Sequence, residues 1–487
     1  MTLSTFWRRP IWLYLGLAAV SAAVYLGVSA AGGGLGFPLD DAWIHQTYAR
    51  NLGWQGEFAF LPGQPSAGST SPLWSALLAV GYSLRLEPRA WTYALGTLAL
   101  ALNGWLAYRL VGGWWPERRW AALAAGAAVV LEWHLAWAAV SGMETVLFAA
   151  LVLAVFACPV ERPAWLGALV GLSVLVRPDG LTLLPFALAR LLLTDGPAGR
   201  WRALAAGGLG FAALFGPYLG FNTLVGGTPW PNTFYAKQAE YAVMQALPLL
   251  GRLVSVGQQP FLGAQLLLVP GLAAAAAGFA RRRRWTDLLP LGWAAAFGGA
   301  YVLRLPVTYQ YGRYVMPVIP LVVALGLGGL AGLLRPRSVQ PLERVLGRAA
   351  WAAVVLLGLI FWGWGALLYR RDVRIIETEM VAAARWVATA TPPGAVIAAH
   401  DVGALGYFGG RPILDLAGLI SPDVIPFIRD EARLGLWLDE AGAQYLMTFP
   451  GWYPDLVRPL AGQVVYRSTA PDSLAAGGEN MLIYRWP

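Results

Sequence analysis

The sequence predicts an all-α, multi-pass membrane protein of about eleven transmembrane helices, with a small α/β domain at its C-terminal end. Three observations lead there. Of 487 residues, 57% are hydrophobic and only 13% charged, with a mean hydropathy of +0.55. A soluble domain carries about a quarter charged residues, so an ordinary soluble enzyme and a disordered chain are both excluded. Apolar runs recur along residues 1–369, most of them near the roughly 20 residues that cross ~30 Å of hydrocarbon. The basic residues sit in short loops between those runs, which makes the net charge of +9 a topology signal and not a nucleic-acid footprint.

The runs are 11–31, 90–111, 119–139, 143–158, 163–176, 180–194, 201–222, 259–280, 285–304, 314–334 and 349–369. The first follows Arg8-Arg9-Pro10 and is read as an uncleaved span. A shorter run, 72–84, covers only about 20 Å as a helix and is assigned to the membrane surface. With the N-terminus inside, the inner loops then hold Arg118-Arg119, Arg162, Arg200, Arg202, Arg281 to Arg284, and Arg335, Arg337, Arg344 and Arg348. If 72–84 crossed, the four consecutive arginines would lie outside, against the positive-inside rule. Three features fall on the outer face. They are a long loop over 32–89, a second loop over 223–258, and the tail, 370–487.

In the tail, 375–389 and 434–441 have helical spacing. Residues 396–399, 412–416, 445–449, 464–467 and 481–486 read as strands. Helices alternating with strands predict a small α/β domain.

The outer segments carry the candidate chemistry. Asp40-Asp41 are adjacent acids just past the first span, where like charge and desolvation raise a carboxyl pKa toward that of a general base. The alternative is that they cap a loop helix running through Tyr48 and Arg50, just past His45. Ser69 and Thr70 lie in a Gly/Pro/Ser-rich loop, a substrate-positioning segment or a plain surface loop that ends with Ser71 capping the next helix. Glu144 is an acid at a membrane boundary, a functional candidate or an early helix residue. Arg177 either binds a ligand or pairs with Asp179 in the turn Arg177-Pro178-Asp179-Gly180.

Asn232, Tyr235 and Lys237 fall in one outer motif, and Lys237 is the single lysine of the chain. Lys237 as a point charge and Arg313 as a bidentate fork suit a phosphate, or else they snorkel to headgroups. His400-Asp401 follow a strand, where α/β proteins place ligand loops. The three histidines, His45, His134 and His400, have no metal-ligand spacing, and the lone Cys158 forms no intramolecular disulfide.

Taken in order, Asp40-Asp41, residues 63–74 with Ser-Thr-Ser-Pro-Leu-Trp, 141–145, 177–180, 231–237, 312–317, 401–407 and 415–418 resemble the polytopic glycosyltransferases of the GT-C superfamily. The nearest likeness is to cell-wall arabinofuranosyltransferases and related bacterial membrane enzymes. The resemblance implies an inverting transfer of sugar from a polyprenyl-phosphate donor to a glycan, lipid or protein acceptor on the outer face of a bacterial cytoplasmic membrane. By it, Asp40 or Asp41 is the base, Glu144 a second acid, and Lys237 and Arg313 hold the leaving phosphate. Some relatives need a divalent metal, and the sequence leaves that open. The alternative function is a transporter or flippase of lipid-linked sugars, which needs ionisable groups or broken helices near the midplane, whereas the acids here cluster at one face.

Overall fold

The computed structural model describes residues 10–487 apart from 195–196 and 335–337. Arg8, Arg9, Arg335 and Arg337, used above for topology, lie outside the described residues.

Every apolar run is helical, but the runs are not equally continuous. Among the described residues, six helices are long and apolar enough to cross a membrane: Pro10–Ala31, Pro88–Trp114, Gly199–Gly226, Ala264–Arg281, Tyr309–Leu333 and Pro341–Ala390. The run 119–139 is two helices, Arg119–Val130 and Trp133–Ala139, bent by 54°. The break has a local cause: the Glu132 carboxylate accepts from the Leu135 N–H at 2.9 Å and starts a new helix. Counting that pair as one span gives seven. Thr145–Ala157 and Pro163–Val176 are apolar but short, and 180–194 begins as a 3₁₀ turn after Pro178.

The helices approach closely where glycines meet. A β-carbon at Gly167 would lie 1.9 Å from the Gly207 carbonyl oxygen, and one at Gly271 would lie 2.0 Å from that of Gly326. These contacts join Pro163–Val176 to Pro197–Gly226, and Val269–Arg281 to Ile319–Leu333. Small residues let helix backbones approach in lipid, where there is little hydrophobic force between helices.

Between the first two long helices lie helix Asp41–Gln55, a hairpin of β1 (Ala59–Leu61) and β2 (Gln64–Pro65), and helix Pro72–Ser83. The 12-residue helix Pro72–Ser83 reaches only about 18 Å. Helix Asp41–Gln55 stops at Gly56, whose left-handed φ of 74° turns its N–H back to the Leu52 carbonyl.

The last long helix runs on through a π turn, Glu377–Val381, into Ala382–Ala390, so no linker separates the helices from the tail. Beyond it come β3 (Ile397–Ala399), β4 (Ile413–Asp415), β5 (Tyr445–Thr448), β6 (Val464–Arg467) and β7 (Leu482–Arg485). They form one sheet in the order β4-β3-β5-β7-β6, parallel across the first three strands and antiparallel across the last. One face, with Ile397, Met447 and Ile483, joins the core of the membrane helices. The other, with Ala398, Leu446 and Tyr484, packs on Leu434 and Leu438 of helix Glu431–Glu440.

Candidate active site

Segments from these elements enclose a cavity of about 500 Å³. Its wall includes Asp41, His45, Ser69, Thr70, Glu144, Arg177, Lys237 and Arg313, drawn from six separate segments of chain. The tail contributes Leu419.

Asp40 and Asp41 have opposite fates. The Asp41 carboxylate faces the cavity, accepts a hydrogen bond from Arg313 and sits 3.8 Å from the Lys237 ammonium. Burial raises its pKa, but Arg313 and then Lys237 more than reverse this and hold it well below the usual carboxylate range. Asp40 turns the other way. Its two oxygens accept from the backbone N–H groups of Gly403 and Ala404, at 2.7 and 2.8 Å. Burial pushes it up to about 6, against the downward pull of those two donors. Asp40 stands at the N-cap position of helix Asp41–Gln55, as the helix-start alternative expects, but its side chain makes no cap bond there and holds the tail instead. The approach is tight, for a β-carbon at Gly403 would meet the Asp40 carbonyl oxygen at 2.1 Å. Ser71 likewise precedes its helix without a side-chain cap bond.

Glu144 is 5% exposed and stands in the turn before helix Thr145–Ala157. Its Oε2 is 3.4 Å from His45 Nε2 but has no hydrogen-bond partner, and its Oε1 is 4.0 Å from Arg177. His45 Nδ1 meets the Ser75 hydroxyl at 3.3 Å, and that hydroxyl lies 3.4 Å from Ser69. The turn is pinned by Trp74, whose indole N–H donates to the Gly142 carbonyl at 2.9 Å. Gly142 has φ 82°, and a β-carbon there would lie 2.7 Å from that of Ala42, so only glycine lets this turn sit against helix Asp41–Gln55.

Arg177 does pair with Asp179, at 2.8 Å, and also donates to Tyr301 Oη at 2.9 Å. The pairing reading of Arg177 is therefore what the structure shows, and the same side chain also lines the cavity. Tyr314 was missed. Its ring lies 5.5 Å from the Arg177 guanidinium, 5.6 Å from the Lys237 ammonium and 5.1 Å from the Arg313 guanidinium, so three cations share one aromatic face or edge. Asp179 and Tyr301 were also not singled out as ligands, and both line the cavity. Two buried cations, Arg177 and Arg313, and the half-buried Lys237 thus face three carboxylates, Asp41, Glu144 and Asp179. An entering anion must compete with a carboxylate for its cation. Exposed Arg304 adds a fourth cation at the wall.

The remaining candidates lie off the cavity wall. Asn232 docks helix Asn232–Glu240 on the 67–68 loop through its N–H to the Ala67 carbonyl, beside Thr233, which does line the cavity and donates to the Gly68 carbonyl. Tyr235 packs against Phe234. His400 bonds Tyr453 Oη at 2.7 Å and lies 3.4 Å from Glu240. Asp401 is pushed up to about 8, first by burial and next by Asp40. Among the described residues, no group of three or more His, Cys, Asp or Glu side chains is arranged to hold a metal ion.

Residues 369–484 match a family described as Domain of unknown function (DUF8728). No curated protein matches the chain in sequence. The fold matches apo ArnT from Cupriavidus metallidurans at TM-score 0.63 and 16% identity, covering 99% of this chain and 98% of that one. The same protein bound to undecaprenyl phosphate matches at 0.52 and 16%, covering 97% of each. The Archaeoglobus fulgidus oligosaccharyltransferase, in complex with Zn and sulfate, matches at 0.59 and 12%, covering 89% of this chain and 68% of that one. The chain is a multi-pass membrane protein with the fold of the GT-C glycosyltransferases.

Proposed function

We propose that the protein is an inverting membrane glycosyltransferase that moves a sugar from a polyprenyl-phosphate donor to a hydroxyl of a glycan, lipid or protein on the outer face of a bacterial cytoplasmic membrane. One observation carries this reading: a cavity-facing carboxylate, Asp41, is held between two cations, Lys237 and Arg313. A base and a phosphate clamp therefore stand side by side. ArnT, the structural neighbour matching over nearly the whole chain, has been captured with undecaprenyl phosphate, which supports a lipid-linked donor.

In the reaction, Asp41 takes the proton of the acceptor hydroxyl. The acceptor oxygen attacks the anomeric carbon as the bond from that carbon to the phosphate oxygen breaks. Polyprenyl phosphate leaves with the electron pair, and Lys237 and Arg313 stabilise its charge. The two roles are coupled. While both cations hold Asp41 it is a poor base. A donor phosphate that draws them away raises its proton affinity when substrate is present. Asp40 is an unsuitable base because both its oxygens are engaged by tail N–H groups. Glu144, whose buried Oε2 has only the 3.4 Å contact to His45 Nε2, is suited to the sugar hydroxyls of the donor.

The tryptophans mark the interface opposite the site, and the arginines assign that interface to the inside. Trp12, Trp120, Trp165, Trp201 and Trp285 are 51–76% exposed in the opening turns of five helices, all at ends assigned to the inner interface by the arginines. The transport alternative gains little from the buried Glu132–His134 pair at the helix break. Glu132 there accepts from His134, Gln265 and the Leu135 N–H, which is the work of a cap.

The test is release of free polyprenyl phosphate from a panel of polyprenyl-phosphate sugars by the protein in nanodiscs, with and without acceptors. Release from one donor that Asp41→Asn abolishes is expected. Donors that bind and are carried across the bilayer without release would transfer the assignment to transport.

A further inference from the structure

Arg313 reaches Asp41 from an unusual stretch of backbone. Gln310 (φ 46°), Tyr311 (φ 60°) and Gly312 (φ 67°) are consecutive left-handed residues. Glycine adopts this region freely, but glutamine and tyrosine do so at a cost that the surroundings must offset. The offset centres on Tyr311. Its hydroxyl donates to Asp372 Oδ2 at 2.7 Å and accepts from Arg371 at 3.0 Å. Its ring packs against Trp133 and Trp137, with centroids 5.3 and 5.6 Å away. The same Asp372 oxygen accepts from the Trp137 indole N–H at 3.1 Å. Trp137 belongs to the helix that leads into the Glu144 turn, so one carboxylate ties together the segments that carry Arg313 and Glu144. Neither Asp372 nor Tyr311 lines the cavity. Arg313 also keeps one buried guanidinium nitrogen, Nη1, without a hydrogen-bond partner.

We infer that Asp372 is a positioning residue: acting through Tyr311, it holds the left-handed segment so that Arg313 stays fixed between Asp41 and an incoming phosphate. This rests on the reading that the cavity takes a lipid-linked phosphate. It adds that the strength of the clamp is set outside the cavity, at the end of the last long helix. A general structural role would instead lower thermal stability without acting selectively through Arg313.

The experiment titrates undecaprenyl phosphate into the full chain in nanodiscs, with Tm measured in parallel. Tyr311→Phe keeps the ring packing and removes only the hydroxyl. It is expected to weaken binding about 10-fold, a normal coupling for residues in one network, with Tm little changed. Asp372→Asn is the second variant and is expected to act in the same direction. In an Arg313→Ala background, Tyr311→Phe is expected to add less than about 2-fold, because its effect runs through that arginine. Binding that Arg313→Ala weakens but both clamp variants leave unchanged would overturn the positioning role alone. So would clamp effects that persist in full without Arg313. Failure of the wild-type protein to bind undecaprenyl phosphate would overturn the cavity reading and this inference with it.

Discussion

Asp41→Asn should move activity and phosphate binding in opposite directions. The substitution keeps size and shape but removes the charge opposite Lys237 and Arg313. At the 3.8 Å separation from Lys237, the attraction between unit charges is on the order of 4 kcal/mol at an effective dielectric of ~20. The Asp41 side chain is 30% exposed, so water screens much of this, and about 1–2 kcal/mol is left for the two cations together. A phosphate no longer has to displace that carboxylate. Undecaprenyl phosphate should therefore bind about 5- to 30-fold tighter to the variant. Loss of a general base should lower kcat by about 10² to 10⁴-fold. Asp40→Asn is the control. It removes charge from a carboxylate that accepts two backbone N–H bonds, each worth about 1.5–3 kcal/mol, of which asparagine can restore one. It should lower Tm while leaving phosphate affinity within about 2-fold, since its oxygens face the tail and not the cations. Turnover from donor-release kinetics and affinity from equilibrium titration give the two quantities separately. If Asp41→Asn lowers both together, or if Asp40→Asn is the variant that tightens binding, the assignment of base and clamp is wrong.

Asp401 has a pKa raised from an ordinary 3.8 to about 8, with Asp40, Asp41 and Glu240 adding to burial and His400 opposing it. A native pKa above the unfolded one means that its stabilisation is full below about pH 4 and declines as pH rises toward 8. Tm should therefore fall between pH 5 and pH 8 and flatten beyond, and Asp401→Asn should remove the part of that slope above pH 6. Gln310→Gly should raise stability by on the order of 1 kcal/mol by relieving a left-handed glutamine. Gly312→Ala should lower it by at least about 1–2 kcal/mol, because its β-carbon at φ 67° would also lie 2.7 Å from that of Gln259. Denaturant unfolding of the two variants checks both signs. In a Cys158→Ser background, Ala461→Cys in the tail should react with a membrane-impermeant maleimide on intact cells, and Arg282→Cys only after lysis. The reverse pattern would invert the topology.

Local chemistry was legible in the sequence and long-range choice was not. Hydropathy located every apolar run as helix, because burial of an apolar side chain does not depend on which partner buries it. Averaging over a run hides a single cap, so 119–139 looked continuous although Glu132 restarts the helix inside it. The two adjacent aspartates could be placed at one helix start but not told apart. What separates them is Arg313, 272 positions away from Asp41, and Gly403, 363 positions away from Asp40. Tyr314 was passed over because an aromatic residue at the head of an apolar run is what a membrane interface ordinarily selects. Its role emerges only when three cations from three other segments or neighbours converge on the ring. His400 and Asp401 lie off the cavity wall. A loop after a strand is a sound place to look for a ligand, yet here that loop presents backbone N–H groups to Asp40. The helical frame follows from composition, whereas the candidate site depends on which distant segments pair across it. The tail's hold on Asp40 leaves Asp41 as the carboxylate turned toward the cavity, where it meets the cations a phosphate would need.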